Sequence, residues 1–303
     1  MNSPELFVVV AAAVVFLLWA ITAAVFHYIF AMKKQSAAAS VSILKQKGTL
    51  PQAIAAPERL TVLSDDGLTL TGYYINQFPD AKRAVIIAHG YRSNHVIALQ
   101  YAPVFIKHGY NVLVFDQRAH GESGGKFPSY GLYESGDLHH WVTLLRKRLG
   151  EDCEIGLMGH SLGGATMLCY PRIDTAIRFM VTDCTYATLR QFIVQRLHSY
   201  FAPAWLFYPL VNRMVRARIG FSMNEVNPIE VTLHEGLSIP TLFIHSKGDR
   251  IMSFRGTQEM YEKRHNPRDR LYLHASADHA DVYSADTAAY QQVVDAFLQN
   301  LQP

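Results

Sequence analysis

The sequence predicts an α/β fold, a mostly parallel sheet with helices on both faces, preceded by one apolar helix long enough to span a membrane. Three observations carry that reading. Short continuous apolar runs alternate with helical stretches, the pattern of strands buried on both faces. Gly159-His160-Ser161-Leu162-Gly163 joins one such run, Ile155-Gly156-Leu157-Met158, to a good helix opening. No Asp, Glu, Lys or Arg occurs from Leu6 to Met32.

The N-terminal run comes first. About 20 apolar residues suffice to cross the hydrocarbon core. A cleaved signal peptide would want a basic start and a shorter apolar core. Met1-Asn2-Ser3-Pro4-Glu5 carries no basic side chain, and the run is long. Residues 1–34 are therefore read as an uncleaved transmembrane anchor. His27 and Tyr28 sit near its end, where amphipathic rings suit the interface. Lys33 and Lys34 follow, then Lys45 and Lys47. By the positive-inside bias this end faces the cytoplasm. The expectation is a single-pass protein of the cell membrane with a cytoplasmic catalytic domain.

Residues 35–56, rich in Ala, Ser and Gln, form a linker or juxtamembrane helix, and the globular domain occupies 57–303. It opens with alternating strands at Arg59–Leu63 and Leu68–Ile75, joined by Ser64-Asp65-Asp66-Gly67, a hairpin signal. Buried-type strands follow at Ala84–Ala88, Asn111–Phe115, Glu154–Met158, Phe179–Thr182, Thr241–His245 and Leu271–His274. Helices are expected near Val96–His108, near Leu132–Leu149, and after the later strands. The segment from about 186 to 236 breaks the rhythm. It is too long for a βα connection and mixes aromatics with arginines, so it is read as a helical lid.

Composition narrows the classes. A length of 303 residues, half of them hydrophobic, suits one large α/β domain or two small ones. The formal charge of +3 is modest and no basic stripe stands out, which argues against nucleic acid. Cys153, Cys169 and Cys184 lie in or beside apolar stretches and read as buried reduced thiols.

Ligands of such sheets bind at the carboxyl ends of the strands. There the sequence places His89-Gly90-Tyr91, then Ser161, then Ser246-Lys247-Gly248-Asp249, then Ala275-Ser276-Ala277-Asp278-His279. A serine on a sharp strand-to-helix turn, followed in chain order by an acid and a histidine, is the pattern of a nucleophilic triad. With these residues on the page, the chain from about 59 to 300 resembles a serine α/β-hydrolase. It is most similar to the bacterial group with an N-terminal membrane anchor and an Asp-x-Arg-x-His-Gly-x-Ser loop, here Asp116-Gln117-Arg118-Ala119-His120-Gly121-Glu122-Ser123.

The resemblance implies an α/β-hydrolase fold and a carboxylesterase, lipase or thioesterase type of reaction. Ser161 would be the nucleophile, His279 the general base and Asp249 the acid that orients it. The backbone N–H groups of Tyr91 and Leu162 would form the oxyanion hole. Asp183, at a strand end, and Asp278, beside the histidine, are rival acids. The family's His-Gly-x-x-Asp appears here as His245-Ser246-Lys247-Gly248-Asp249, with its first glycine replaced. His160 should point into the fold, His89 should pack under the oxyanion loop, and His120 should brace the loop after Asp116. His274 should be structural.

No cofactor is expected. No nucleotide-binding loop or metal motif occurs, and Asp116 with His120 matches the family's structural loop. The expected partners are a small-molecule ester or acyl substrate, including lipid-derived ones, and the membrane. A serine peptidase or an acyltransferase would use the same triad. A non-catalytic membrane-bound binding protein is the reading from another class.

Overall fold

The structure, a computed structural model, describes residues 3–301. Met1 and Asn2, counted with the anchor, and Gln302 and Pro303 lie outside the described residues. Helix α1 (Ser3–Phe30) is long and apolar enough to cross a membrane. Its side chains are largely exposed as far as Ile21, but Thr22, Phe26, Ile29 and Phe30 are buried. Helix α2 (Ala37–Lys47) follows within the expected linker. Ser36 caps its start, and Gly48, with φ of 67°, closes its end.

The domain opens with the hairpin β1 (Glu58–Leu63) and β2 (Thr69–Ile75). Then come β3 (Arg83–Ala88), the short helices α3 (His95–Ala98) and α4 (Ala102–Ile106), and β4 (Asn111–Phe115). A continuous helix was expected near Val96–His108. It is divided by a 3-10 turn at Leu99–Tyr101, with Pro103, which has no N–H to donate, in the first turn of α4. Helix α5 (Leu132–Leu149) leads to β5 (Glu154–His160), α6 (Leu162–Cys169) and β6 (Phe179–Asp183). The insertion forms α7 (Leu189–Ser199), α8 (Ala204–Arg218) and α9 (Pro228–Leu233). The chain closes with β7 (Thr241–Ser246), α10 (Phe254–Arg264), β8 (Arg270–His274), α11 (Val282–Ala285) and α12 (Thr287–Gln299).

The eight strands lie in the order β1-β2-β4-β3-β5-β6-β7-β8. Among the described residues, the β1–β2 and β2–β4 pairings are antiparallel and the other pairings parallel. The parallel strands β3 to β7 are apolar at their centres and buried along nearly their whole length because helices cover both faces. One face packs Phe105, Phe179 and Phe297; the other packs Phe115, Trp141 and Leu157. A third apolar cluster lies off the sheet. There Phe26 and Phe30 of α1 meet Leu189, Phe207 and Val211 of the insertion and Leu162 of α6. This cluster seats the lid above the strand ends.

Candidate active site

Strand β5 delivers Ser161 to a sharp bend. Ser161 has φ of 54° and ψ of −115°, a strained conformation for a residue with a Cβ. Its N–H donates to the Asp183 carbonyl (2.7 Å), and its carbonyl accepts from Thr185 Oγ1 (2.9 Å). The flanking glycines leave room for the bend. A Cβ on Gly159 would stand 2.1 Å from the Gly163 oxygen, and one on Gly163 would stand 2.3 Å from the Ala88 oxygen.

The loop after β8 brings His279 over the serine. His279 Nε2 lies 3.0 Å from Ser161 Oγ, and its Nδ1 lies 2.6 Å from Asp249 Oδ2. Burial alone would raise the Asp249 carboxyl pKa. Contacts from His245 and His279 and the Met252 amide outweigh that and hold it well below the usual carboxylate range. Asp249 is thus an ionised acceptor, which places the His279 proton on Nδ1 and leaves Nε2 to accept from the serine hydroxyl. The other carboxylate oxygen is fixed by the Ile251 and Met252 amides, both at 2.8 Å.

Two supports escaped the sequence reading. Ser246, standing where the family pattern has glycine, donates to the Ala277 carbonyl (2.5 Å) and accepts from the Gly248 amide (3.1 Å). It ties the acid loop to the histidine loop. His245 places Nε2 3.2 Å from Asp249 Oδ2, while its Nδ1 meets Thr257 Oγ1 at 2.7 Å. The signal was present in the His245-Ser246 pair, but only the loss of a glycine was visible.

The rival acids stand elsewhere. Asp183 is buried beside the hydroxyls of Tyr101 (3.4 Å) and Tyr290 (3.2 Å), and burial pushes its carboxyl pKa up. Asp278 is exposed, 3.9 Å from Arg250. His89 braces the turn beside the serine: its Nδ1 lies 2.7 Å from the Gly90 carbonyl, and its Nε2 accepts from the Gln117 amide (3.1 Å). His120 Nδ1 meets the Arg118 carbonyl at 2.8 Å. His274 Nδ1 accepts from Ser276 and Ala277 at 3.2 and 2.9 Å, which shapes the turn before His279. His160 points into the fold, stacked on Tyr101 with ring centroids 6.4 Å apart, and also reaches the cavity. Though buried, with its pKa lowered by burial to about 3, it lines the cavity and sits 5.8 Å, ring to ring, from His279. The backbone of Gly90 comes so close that a Cβ there would meet His160 Nδ1 at 2.8 Å and Ser161 Cβ at 3.3 Å. Tyr91 follows in that loop, and Leu162 opens α6 beside the serine.

Cys184, Asp249 and His279 have potential donor atoms within 4.8 Å of one another. They suit a metal poorly. Asp249 and His279 are spent on each other, and burial holds the Cys184 thiol protonated.

A cavity of about 380 Å³ opens at Ser161 and His279. Its walls come from the β3 loop (Tyr91, Arg92), from Tyr130, from the lid (Phe192, Arg196) and from Ile251 and Met252. Tyr28 and Ile29 of α1 complete it, which the sequence did not foretell. The Ile29 carbonyl accepts from the hydroxyls of both Tyr91 (2.7 Å) and Tyr130 (2.6 Å).

A doubly covered parallel sheet with a serine, a histidine and an acid meeting at its strand ends defines a class of hydrolases. Comparison with known proteins agrees. The alpha/beta hydrolase fold family model matches residues 83–203. YqkD of Bacillus subtilis is 34% identical over 238 residues, spanning 78% of this chain and 77% of that protein. The thiohydrolase aneE of Aspergillus aculeatus is 35% identical over 140 residues, 44% of this chain and 43% of that one. The solved Pyrococcus furiosus esterase Pf2001 superposes with a TM-score of 0.64 at 26% identity, covering 84% of this chain and 94% of the esterase. The chain belongs to the α/β-hydrolase family.

Proposed function

We propose that the protein is a membrane-anchored serine hydrolase that cleaves carboxylic esters or thioesters through an acyl-enzyme. The observation that carries this is the contact series from Ser161 Oγ to His279 to Asp249, at 3.0 and 2.6 Å. Ser161 Oγ attacks the acyl carbon as its proton passes to His279 Nε2. Asp249 holds the imidazole in register and stabilises its charged form. The oxyanion accepts from the Tyr91 and Leu162 amides, each donor contributing on the order of 2.7–4 kcal/mol. Collapse expels the alcohol or thiol, which takes the proton from His279. Water then attacks the acyl-serine with His279 again as base.

The esterase and thiohydrolase relatives support both leaving groups. The packing of Phe26, Ile29 and Phe30 into the domain supports a retained anchor rather than a cleaved leader. Lys33, Lys34, Lys45 and Lys47 favour a cytoplasmic catalytic domain. The test is a fluorophosphonate probe on membranes carrying wild type or Ser161→Ala, followed by p-nitrophenyl and thioester substrates. Labelling and turnover that vanish in the variant are expected. No labelling and no turnover in the wild type would favour a non-catalytic binding protein. A reporter fused at Pro303 reads the topology, and an exported signal would reverse the orientation.

A further inference from the structure

A second opening lies beside the Ser161 cavity. It is a groove of about 240 Å³ between α1 and the lid, lined by Ala24, Val25, Tyr28 and Ile29 on one side and Arg196, Leu197, Tyr200 and Ala202 on the other. Tyr28, Ile29 and Arg196 line both spaces, so the two adjoin. A small latch marks the boundary: the Tyr28 and Tyr200 hydroxyls are 2.7 Å apart, and Arg196 donates to the Tyr200 hydroxyl at 2.7 Å.

The height of the groove follows from α1. The largely exposed, charge-free run from Leu6 to Ile21, at about 1.5 Å per residue, is about 24 Å long. A hydrocarbon core is about 30 Å thick. Counted from Leu6, about 20 residues span that thickness, so the bilayer surface falls at Ala24 and Val25, within the stretch where the lid covers the helix. The loop between α7 and α8 lies beside the groove. Its tip, Phe201, is 97% exposed, and Trp205 at the start of α8 is 80% exposed. Two large bare aromatics next to a membrane-spanning helix suit the interface between headgroups and acyl chains. Tyr200, from the same loop, packs edge-on against Tyr28 with ring centroids 5.6 Å apart.

We propose that this groove is the route by which an acyl chain passes from the bilayer to Ser161, so that the substrate is a membrane-dissolved acyl ester or thioester. The proposal rests on the hydrolase reading above and names its substrate class. The Phe201–Trp205 tip dips into the membrane surface, the chain slides between α1 and α7, and the Tyr28–Tyr200 contact parts to admit it. The acyl carbon then reaches Ser161 through the cavity wall formed by Ile29 and Phe192.

The test uses the full chain in phospholipid nanodiscs with two substrates, a short water-soluble p-nitrophenyl ester and a long-chain acyl ester dissolved in the same bilayer. Ala24 and Val25 line the groove but not the Ser161 cavity. Ala24→Trp and Val25→Trp fill the groove and are expected to lower turnover of the bilayer substrate at least tenfold, with short-ester turnover within about twofold of wild type. Phe201→Asp with Trp205→Asp should lower only the bilayer reaction. Equal loss on both substrates, or none on the bilayer substrate, overturns the route. Failure of the wild type to turn over even the short ester overturns the hydrolase reading instead. Retained short-ester activity in each variant certifies its fold.

Discussion

Replacing Asp249 by Asn tests the site at its most determined point. The two oxygens of this carboxylate are not equivalent. One accepts the Ile251 and Met252 amides, both at 2.8 Å, and the other faces His279 Nδ1 at 2.6 Å. An asparagine must keep its oxygen toward the two backbone donors, so its NH₂ points at His279. The imidazole then accepts on Nδ1 and carries its proton on Nε2, toward Ser161, where a base is needed. The wrong tautomer in otherwise intact geometry lowers kcat by about ten-thousand-fold, or about 5.4 kcal/mol of barrier. Asp183→Asn is the control. That residue meets tyrosine hydroxyls and has no hydrogen bond to His279 among the described residues, so its kcat should stay within about tenfold of wild type. The assay is steady-state hydrolysis of a p-nitrophenyl ester, with circular dichroism to verify folding. Near-wild-type kcat in Asp249→Asn together with collapse in Asp183→Asn would refute the assignment.

Four further outcomes are expected. Ser246→Ala leaves the Ala277 carbonyl without its 2.5 Å donor, so stability should fall by about 1–3 kcal/mol and kcat should fall with KM little changed, as read by denaturation and kinetics. Asp116 accepts from the His95 amide (2.7 Å), the His95 ring (3.0 Å) and the Glu122 amide (2.8 Å). Burial opposes its ionisation, but the His95 contact and the neighbouring His89 outweigh that and lower its pKa to about 2. A folded pKa below the unfolded value gives stability that is full above about pH 4 and is lost as pH falls toward 2. Asp116→Asn should therefore be less stable by about 2–3 kcal/mol at pH 7, with the gap to wild type closing below pH 4 in guanidinium titrations. Phe30, fully buried between Phe26 and Tyr130 with ring centroids at 5.2 and 5.3 Å, should cost about 3–5 kcal/mol on replacement by Ala. Phe7→Ala, at a 75% exposed position, should leave the thermal midpoint unchanged.

Much of this molecule was legible in its sequence because strands buried on both faces announce themselves as apolar runs, and the turn at Gly159–Gly163 admits few side chains. The chain order of Ser161, Asp249 and His279 followed the order of the strand ends that carry them. The docking of α1 was not legible. Hydropathy treats Phe26 and Phe30 like Phe7 and Phe16, since a lipid tail and a lid helix offer similar apolar surroundings. Nor was the role of Ser246, because a hydroxyl that ties two distant loops has no local signature. The second exposure of His160 was hidden for a similar reason. It lies in the interior, but Gly90 has no side chain to screen it, so its ring also borders the cavity.

The Ile29 carbonyl, gripped by two tyrosine hydroxyls, changes how a form of this protein trimmed of α1 should be regarded. Tyr91 belongs to the loop whose amide is assigned to the oxyanion, and Tyr130 lines the same cavity. Excision of the helix for convenience would strip both phenols of their acceptor and open one side of the chamber. The trimmed protein would differ from the parent at its reactive centre, and inhibitors ranked on it would be ranked against a chamber with one wall missing.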